Sequence, residues 1–285
     1  MNSRSEAVLI TGCSTGIGRA TAERLARSGK TVYATARSEE AISDLREVGC
    51  RTLALDVTDE ASMQAAVDHV VEADGAVGAL VNNAGYSQSG AVETVSAGDL
   101  RRQFETNVFG LVRMSQLVLP GMRAQGWGRI VNISSMGANF TFPGGGVYHA
   151  TKYAVEALTD ALRFEVKGFG VGVTIIQPGL IRSEFGNTVA AGTPDEADGP
   201  YSEFNASVAS TTQEVYESGP LARLGGDPDA VAKAIEKAID AKSPKIRVRV
   251  TPSAHFLIGQ RKLMTDGLWD RFLKTQFTHP GQERK

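Results

Sequence analysis

Between Ala7 and Gly179 short apolar runs alternate with amphipathic stretches long enough to be helices, and few folds tolerate that rhythm. "AVLIT" is followed by "IGRATAERLARSG", whose apolar Ile17, Ala20, Leu25 and Ala26 recur at helical spacing until Gly29 closes the segment. "TVYATA", "RTLAL", "GALVNN", "GRIVNIS" and "GVTIIQPG" read as further strands. Between them "EEAISDLREVG", "DEASMQAAVDHVVEAD", "SAGDLRRQFETNVFGLVRMSQLVLPGM" and "YHATKYAVEALTDAL" read as helices, the third capped by Asp99 and kinked or broken by Pro120. Strands joined through helices run parallel, and the apolar, β-branched character of "LVNN", "RIVNIS" and "VTIIQ" fits strands covered on both faces. The pattern predicts an α/β fold in a single domain over residues 1–285. Its core is a doubly wound parallel sheet of about seven strands with helices on both faces.

After Pro178 the rhythm breaks. Residues 182–226 are rich in Gly, Pro, Ser, Thr and acids, too long a stretch for an ordinary connection, and read as a mobile substrate-binding loop or lid with short helices. "DPDAVAKAIEKAIDA" then reads as a capped amphipathic helix and "KIRVRV" as a last strand. In the C-terminal extension, residues 252–285, Leu257, Met264, Leu268, Phe272 and Leu273 lie near helical spacing, with Gly259 and Gly267 weakening a continuous helix. That extension is expected to cover the substrate cleft; a peripheral membrane contact through the same apolar residues, beside Arg261, Lys262 and Lys274, is the second reading.

Charge removes one class of partner: a formal net charge of −2 leaves no basic excess to neutralise nucleic-acid phosphates. No apolar run approaches the roughly 20 residues that span a bilayer, so no integral membrane segment is expected. Cys13 and Cys50 are expected to be free thiols in a reducing compartment. The N-terminus runs straight into the first strand without room for a leader, which points to the cytoplasm. No metal site is read.

The first strand ends in "TGCSTGIG", which sets Gly12, Gly16 and Gly18 between a strand and a helix. Glycines there allow a tight turn and a close backbone approach to a pyrophosphate seated at the positive end of the helix, as in Rossmann-type folds. The spacing is G-x-x-x-G-x-G rather than G-x-G-x-x-G, so the turn alone is weak evidence. A second feature is Tyr148 and Lys152, four apart at the start of a helix and therefore on one face. Such a pair is usually a solvated surface feature.

Taken together with "LDV" at Asp56, "NNAG" at Asn82 to Gly85, Asn107, "NISS" with Ser135, "YHATK" and Pro178–Gly179, these residues resemble the short-chain dehydrogenase/reductase family. The match runs in family order from about Ala7 to Ser183, and a hydroxysteroid/retinol dehydrogenase-like member is suggested by "VYATAR" and the long tail. The resemblance implies an oxidoreductase that interconverts a carbonyl and an alcohol by hydride transfer, with Asn107, Ser135, Tyr148 and Lys152 as the catalytic set. Ser135 is chosen over Ser134 because it lies thirteen residues before Tyr148, the family's spacing. Tyr148 is implied as acid and base, its pKa lowered by the neighbouring ammonium and the nicotinamide charge. Lys152 is implied to hold the nicotinamide ribose, Ser135 to orient the substrate oxygen and Asn107 to hold a water. Cofactor contacts implied by the same match are Gly12, Ser14, Thr15, Gly16, Ile17, Gly18, Arg37, Asp56, Val57, Asn83, Ala84, Gly85, Pro178, Gly179, Ile181 and Ser183, besides Tyr148 and Lys152. His149 projects from another helix face and is read as structural. Cys13 is read as inert and Trp127 as a turn residue.

Cofactor choice rests on the end of the second strand. An NAD-preferring protein places an acid there for the ribose 2′-hydroxyl. Ala36 stands in that place and Arg37 follows, so a 2′-phosphate finds a guanidinium instead of a repelling carboxylate. NADP(H) is expected over NAD(H), with a bulky apolar ketone, aldehyde or hydroxysteroid-like alcohol as substrate. The helices around Leu100 to Met122 and Tyr148 to Val166 carry apolar residues on more than one face, and the family pairs these helices between subunits. A homodimer or homotetramer is therefore expected. Two other functions fit the fold, a non-catalytic NADP(H) sensor and a sugar-nucleotide epimerase or dehydratase. Sensors typically lose the Tyr or Lys, and epimerases carry another glycine spacing.

Overall fold

Seven parallel strands make one sheet in the computed structural model, which describes residues 4–183, 199–217, 220–277 and 279–281. They are β1 (Val8–Ile10), β2 (Val32–Ala36), β3 (Arg51–Ala54), β4 (Ala79–Asn82), β5 (Gly128–Ile133), β6 (Val171–Pro178) and β7 (Arg247–Val250). Their order across the sheet is β3-β2-β1-β4-β5-β6-β7, every neighbouring pair parallel. The order reverses between β1 and β4. At such a point the connections leave to opposite faces, and a crevice opens beyond the carboxyl ends of the strands.

Strand alternation divides β1 between two cores. Val8 and Ile10 face α1 (Gly16–Arg27) and a 3-10 helix (Glu40–Val48), with Ala22, Leu25, Ile42 and Leu45 in the same cluster. Leu9 faces the other side, in a cluster with Met63 and Val67 of α2 (Glu60–Asp74). Met114 and Met122 of α4 (Gly110–Ala124) and Val166 of α5 (Gly146–Val166) complete that cluster. The "EEAISDLREVG" helix is therefore 3-10 rather than α; Gly49, at φ 93°, ends it in the left-handed region that lacks a Cβ penalty. A polar seam also crosses the second core: Asn82 donates to Asn132 Oδ1 (2.9 Å), and Asn132 donates to Thr159 Oγ1 (2.9 Å). These bonds tie β4, β5 and α5 in one register.

The long predicted helix is three joined pieces: α3 (Ala97–Phe104), a π-helical stretch (Glu105–Phe109) and α4. Its cap is Ser96, not Asp99. Ser96 has extended backbone and accepts the Asp99 N–H at 3.0 Å, which places Asp99 inside the first turn. Pro120 does not break the helix, since α4 continues to Ala124.

Beyond β6 the described residues hold α6 (Ser202–Glu217), α7 (Pro228–Asp240), α8 (Pro252–Leu263) and α9 (Asp266–Lys274). The proposed loop thus carries a helix of its own; residues 184–198 and 218–219 of it lie outside the described residues. Asp227 stands at the α7 cap position without capping it, its carboxylate bonded to Arg182 instead (2.9 Å). The tail breaks at Met264–Thr265, not at either glycine, and its helices build a third cluster. There Leu257, Ile258 and Trp269 meet Met136, Phe140 and Leu180.

Candidate active site

A cleft of about 820 Å³ opens at the carboxyl ends of the strands. Each strand from β1 to β6 hands its next residues to it: Gly12 after β1, Arg37 after β2, Asp56 after β3, Asn83 after β4, Ser134 and Ser135 after β5, and Gly179 after β6. Ser14, Thr15, Gly16, Ile17, Val57, Ala84, Gly85, Tyr148, Lys152, Pro178, Ile181 and Ser183 also line it. Two predicted residues do not. Gly18 is packed shut: a Cβ there falls 2.2 Å from Gly12 O and 2.5 Å from Asn83 Nδ2. Its glycine lets α1 press against the turn, so its contribution is to shape rather than to lining. Asn107 is buried in the π-helical stretch, accepting from Tyr86 N (3.1 Å) and donating to Tyr86 O (3.0 Å) and Thr151 Oγ1 (3.1 Å).

The turn after β1 is rigid for a stated reason. Asn83 Nδ2 donates to both Thr11 O and Gly12 O at 2.9 Å, and Thr11 Oγ1 accepts from the Asn83 and Ala84 N–H groups at 3.0 Å. Thr11 escaped the sequence reading. Its only signal is a hydroxyl closing an apolar strand.

At the start of α1, Thr15 caps without a side-chain bond, and the first turn holds no acid. Gly16, at φ 59°, keeps space open at the helix end: a Cβ there meets only Ser183, at 3.6 Å. The helix therefore turns its positive end to the cleft without a protein anion in place, which suits a dinucleotide's pyrophosphate. Arg37 is exposed at the rim and makes no ion pair among the described residues. Asp56 accepts from Thr58 N (2.9 Å) and Thr58 Oγ1 (2.8 Å), a local turn that fixes its carboxylate at the cleft wall.

Ser135, Tyr148 and Lys152 meet at the other end of the cleft. Ser135 caps a short 3-10 turn (Met136–Ala138), accepting Gly137 N at 3.0 Å, and its hydroxyl also bonds Tyr148. Lys152 is 6% exposed; its Nζ donates to Ile133 O at 2.9 Å and lies 5.7 Å from the centre of the Tyr148 ring. Lost solvation pushes the Tyr148 phenol up to about 12, against a smaller lowering by Ser135, and pulls the Lys152 ammonium down to about 8. The expected lowering of the phenol is thus reversed in the protein alone, because burial disfavours the phenolate more than the Ser135 hydrogen bond favours it. Ser134, passed over in favour of Ser135 in the sequence reading, also lines this end, and its buried Oγ has no protein partner among the described residues. His149, read as structural, is buried beside Tyr148 and bonded to Gly137 O.

A family model described as short chain dehydrogenase matches residues 6–193. The chain is 34% identical over 255 residues to a 3-ketodihydrosphingosine reductase of Bacteroides thetaiotaomicron, covering 90% of this chain and 91% of that one. Among solved structures, a short chain dehydrogenase/reductase of Burkholderia phymatum in complex with NAD superposes with a TM-score of 0.76 at 26% identity, over 100% of this chain and 99% of that one. The closed form of a serine dehydrogenase complexed with NADP+ does so with a TM-score of 0.74 at 28% identity, over 86% and 94%. No helix among the described residues is long and apolar enough to cross a membrane. Motif order, sheet order and sequence identity converge: the chain belongs to the short chain dehydrogenase family and is an alcohol/carbonyl oxidoreductase that uses a nicotinamide dinucleotide.

Proposed function

We propose that the chain is an NADP(H)-dependent reductase of a bulky apolar ketone or aldehyde, able to run in reverse on the matching alcohol. The observation that carries this reading is the meeting of Ser135, Tyr148 and Lys152 at one end of a cleft whose other end holds an open helix N-terminus and Arg37. The bound nicotinamide supplies or accepts a hydride. The chain supplies the rest. Gly12, Thr15, Gly16 and Ile17 hold the pyrophosphate, Arg37 with Ser14 the 2′-phosphate, Asp56 and Val57 the adenine, Asn83 supports the adenosine, and Ala84, Gly85, Pro178, Gly179, Ile181 and Ser183 flank the remainder. Ser135 donates to the substrate oxygen, and Tyr148 gives it a proton. Burial keeps the phenol protonated in the protein alone, which is the protonation state that reduction starts from. Lys152 holds the ribose and offsets charge on the phenol when the proton has left. Asn107, fixed on Tyr86 and Thr151, is assigned the water beyond Lys152.

Substrate class rests on two supports. The Bacteroides relative is named for reducing a keto compound, 3-ketodihydrosphingosine. Beside Gly144, just before α5, Phe204 and Val208 of α6 pack with Ala91, an apolar cluster in the segment read as a lid. A hydroxysteroid/retinol dehydrogenase-like membership agrees with the same apolar class. Cytoplasmic residence agrees with two buried free thiols. The sensor alternative is disfavoured by the complete catalytic set.

Two variants test the reading. With a panel of long-chain and polycyclic ketones, Tyr148→Phe should lower kcat by about 100-fold or more while NADPH affinity stays within about three-fold. Arg37→Ala should weaken NADPH about ten-fold or more and leave NADH nearly unchanged. Substantial turnover by Tyr148→Phe would remove the assignment, and equal wild-type affinity for both cofactors would remove the NADP preference.

A further inference from the structure

The turn that carries Ser135 and the helix that carries Tyr148 share one side chain, and it belongs to neither pair. His149 is 7% exposed and bonded at both ring nitrogens: Nδ1 to Gly137 O at 2.6 Å, and Nε2 to Phe142 N at 3.4 Å. A carbonyl oxygen can only accept and an amide N–H can only donate. Nδ1 must therefore carry the proton and Nε2 must be bare, which fixes the ring as neutral and in one tautomer. Burial disfavours its charged form as well. From Gly137 the contact passes directly to the catalytic hydroxyl, because the Gly137 N–H donates to Ser135 Oγ at 3.0 Å. The ring fills its slot completely. A Cβ on Gly137 falls 2.5 Å from it and a Cβ on Gly145 2.8 Å, so glycine stands on both sides of the ring.

We propose that His149 is a positioning residue for the reaction, a neutral clasp that sets the Ser135 hydroxyl against Tyr148 by holding the Gly137–Phe142 turn to α5. The proposal rests on the roles given above to Ser135 and Tyr148. Its logic is geometric. Tyr148 is fixed by its helix, whereas Ser135 sits on a turn that follows a strand end and needs a second anchor. The clasp supplies one within a residue of Tyr148 itself. Misplacing a reacting group by about 1 Å can cost about 100-fold in rate, so an anchor here acts on kcat rather than on cofactor binding.

His149→Phe keeps a ring of similar volume and deletes both bonds; His149→Gln keeps one donor and one acceptor. In a folded His149→Phe protein kcat should fall about 30-fold with NADPH affinity within about three-fold of wild type, and His149→Gln should recover most of that loss. Nitrogen-15 imidazole spectra supply a readout independent of turnover. One of the four histidines should give an Nδ1 proton protected from exchange at neutral pH, absent in His149→Phe. Wild-type kcat in His149→Phe overturns the proposal, as does a His149→Gln protein no faster than His149→Phe. If His149→Phe does not fold, the spectrum of the native protein decides, and the lack of a protected proton overturns the clasp. Tyr148→Phe assayed alongside separates the two readings. An active Tyr148→Phe sinks the site assignment itself, whereas an inactive one beside a wild-type-like His149→Phe sinks only the clasp.

Discussion

Lys152, assigned above to the nicotinamide ribose, illustrates what a buried ammonium costs its fold. Its ammonium is held at about 8 against an ordinary 10.5, with loss of solvation the larger cause and Glu156 a smaller opposing one. Below pH 8 the group is charged in folded and unfolded chains alike, and the fold bears the whole cost of burying it. Between pH 8 and 10.5 the folded chain gives up this proton first, the unfolded chain binds more protons, and this contribution to stability rises with pH. The gap corresponds to about 3 kcal/mol at neutral pH. Lys152→Met should therefore raise the melting temperature of the cofactor-free protein at pH 7 by several degrees and abolish turnover. A melting temperature that falls would show that the bond to Ile133 O outweighs the burial. The meeting of Tyr148, Lys152 and Ser135 at one end of the cleft was legible because a fixed spacing carries them. The direction of the phenol shift was not, because burial is a property of the folded environment. The packing role of Gly18 was illegible for a related reason: a glycine that a cofactor needs and a glycine that a helix contact needs look the same in sequence.

Among the elements, the tail helices α8 and α9 depart most from expectation. Among the described residues none beyond Ser183 lines the cleft, so the described part of the tail touches it only through what it braces. Trp269 stacks on Phe142 (5.9 Å between ring centres) and packs near Phe140 (5.7 Å). Ser253 Oγ accepts the Leu180 N–H at 3.0 Å, and Gly179 N donates to Val250 O at 3.0 Å. The tail thus supports the segments after β5 and β6 from behind. Trp269→Ala should cost about 3–5 kcal/mol in urea unfolding and raise KM for substrate more than for NADPH. Unchanged stability would mean that the ring is dispensable to the cluster. Trp269 itself was overlooked, since the periodic Leu and Phe positions drew attention and Leu268, one of them, is exposed. The π-helical stretch was equally invisible, because its extra residue per turn leaves the apolar spacing of the flanking helices almost intact.

For the whole molecule, alternation alone carried the strand count, the parallel sense and the cleft at the strand ends, because two short-range rules leave few other arrangements. What alternation could not reach is where one copy stops. Phe109 remains 53% exposed in the π-helical stretch, and Phe164 on α5 80% exposed, beside Tyr153 and Leu158 on the same helix. Phenylalanines this open on the two helices expected to pair fit a subunit interface. Light scattering at micromolar concentration should give a dimeric or tetrameric mass, and Phe164→Glu should lower it. A monomeric wild-type mass would rule the interface out.

The brace behind the cleft also sets an order of events on the ribosome. Residues up to β5 can pair and close the dinucleotide half of the sheet while the chain is still emerging. Phe140 and Leu180, however, wait for Leu257, Ile258 and Trp269, which follow them in the chain. Until then those two side chains lack the partners that cover them. Translation that stalls between α7 and α9 leaves them uncovered, and chaperones have most reason to visit this chain there.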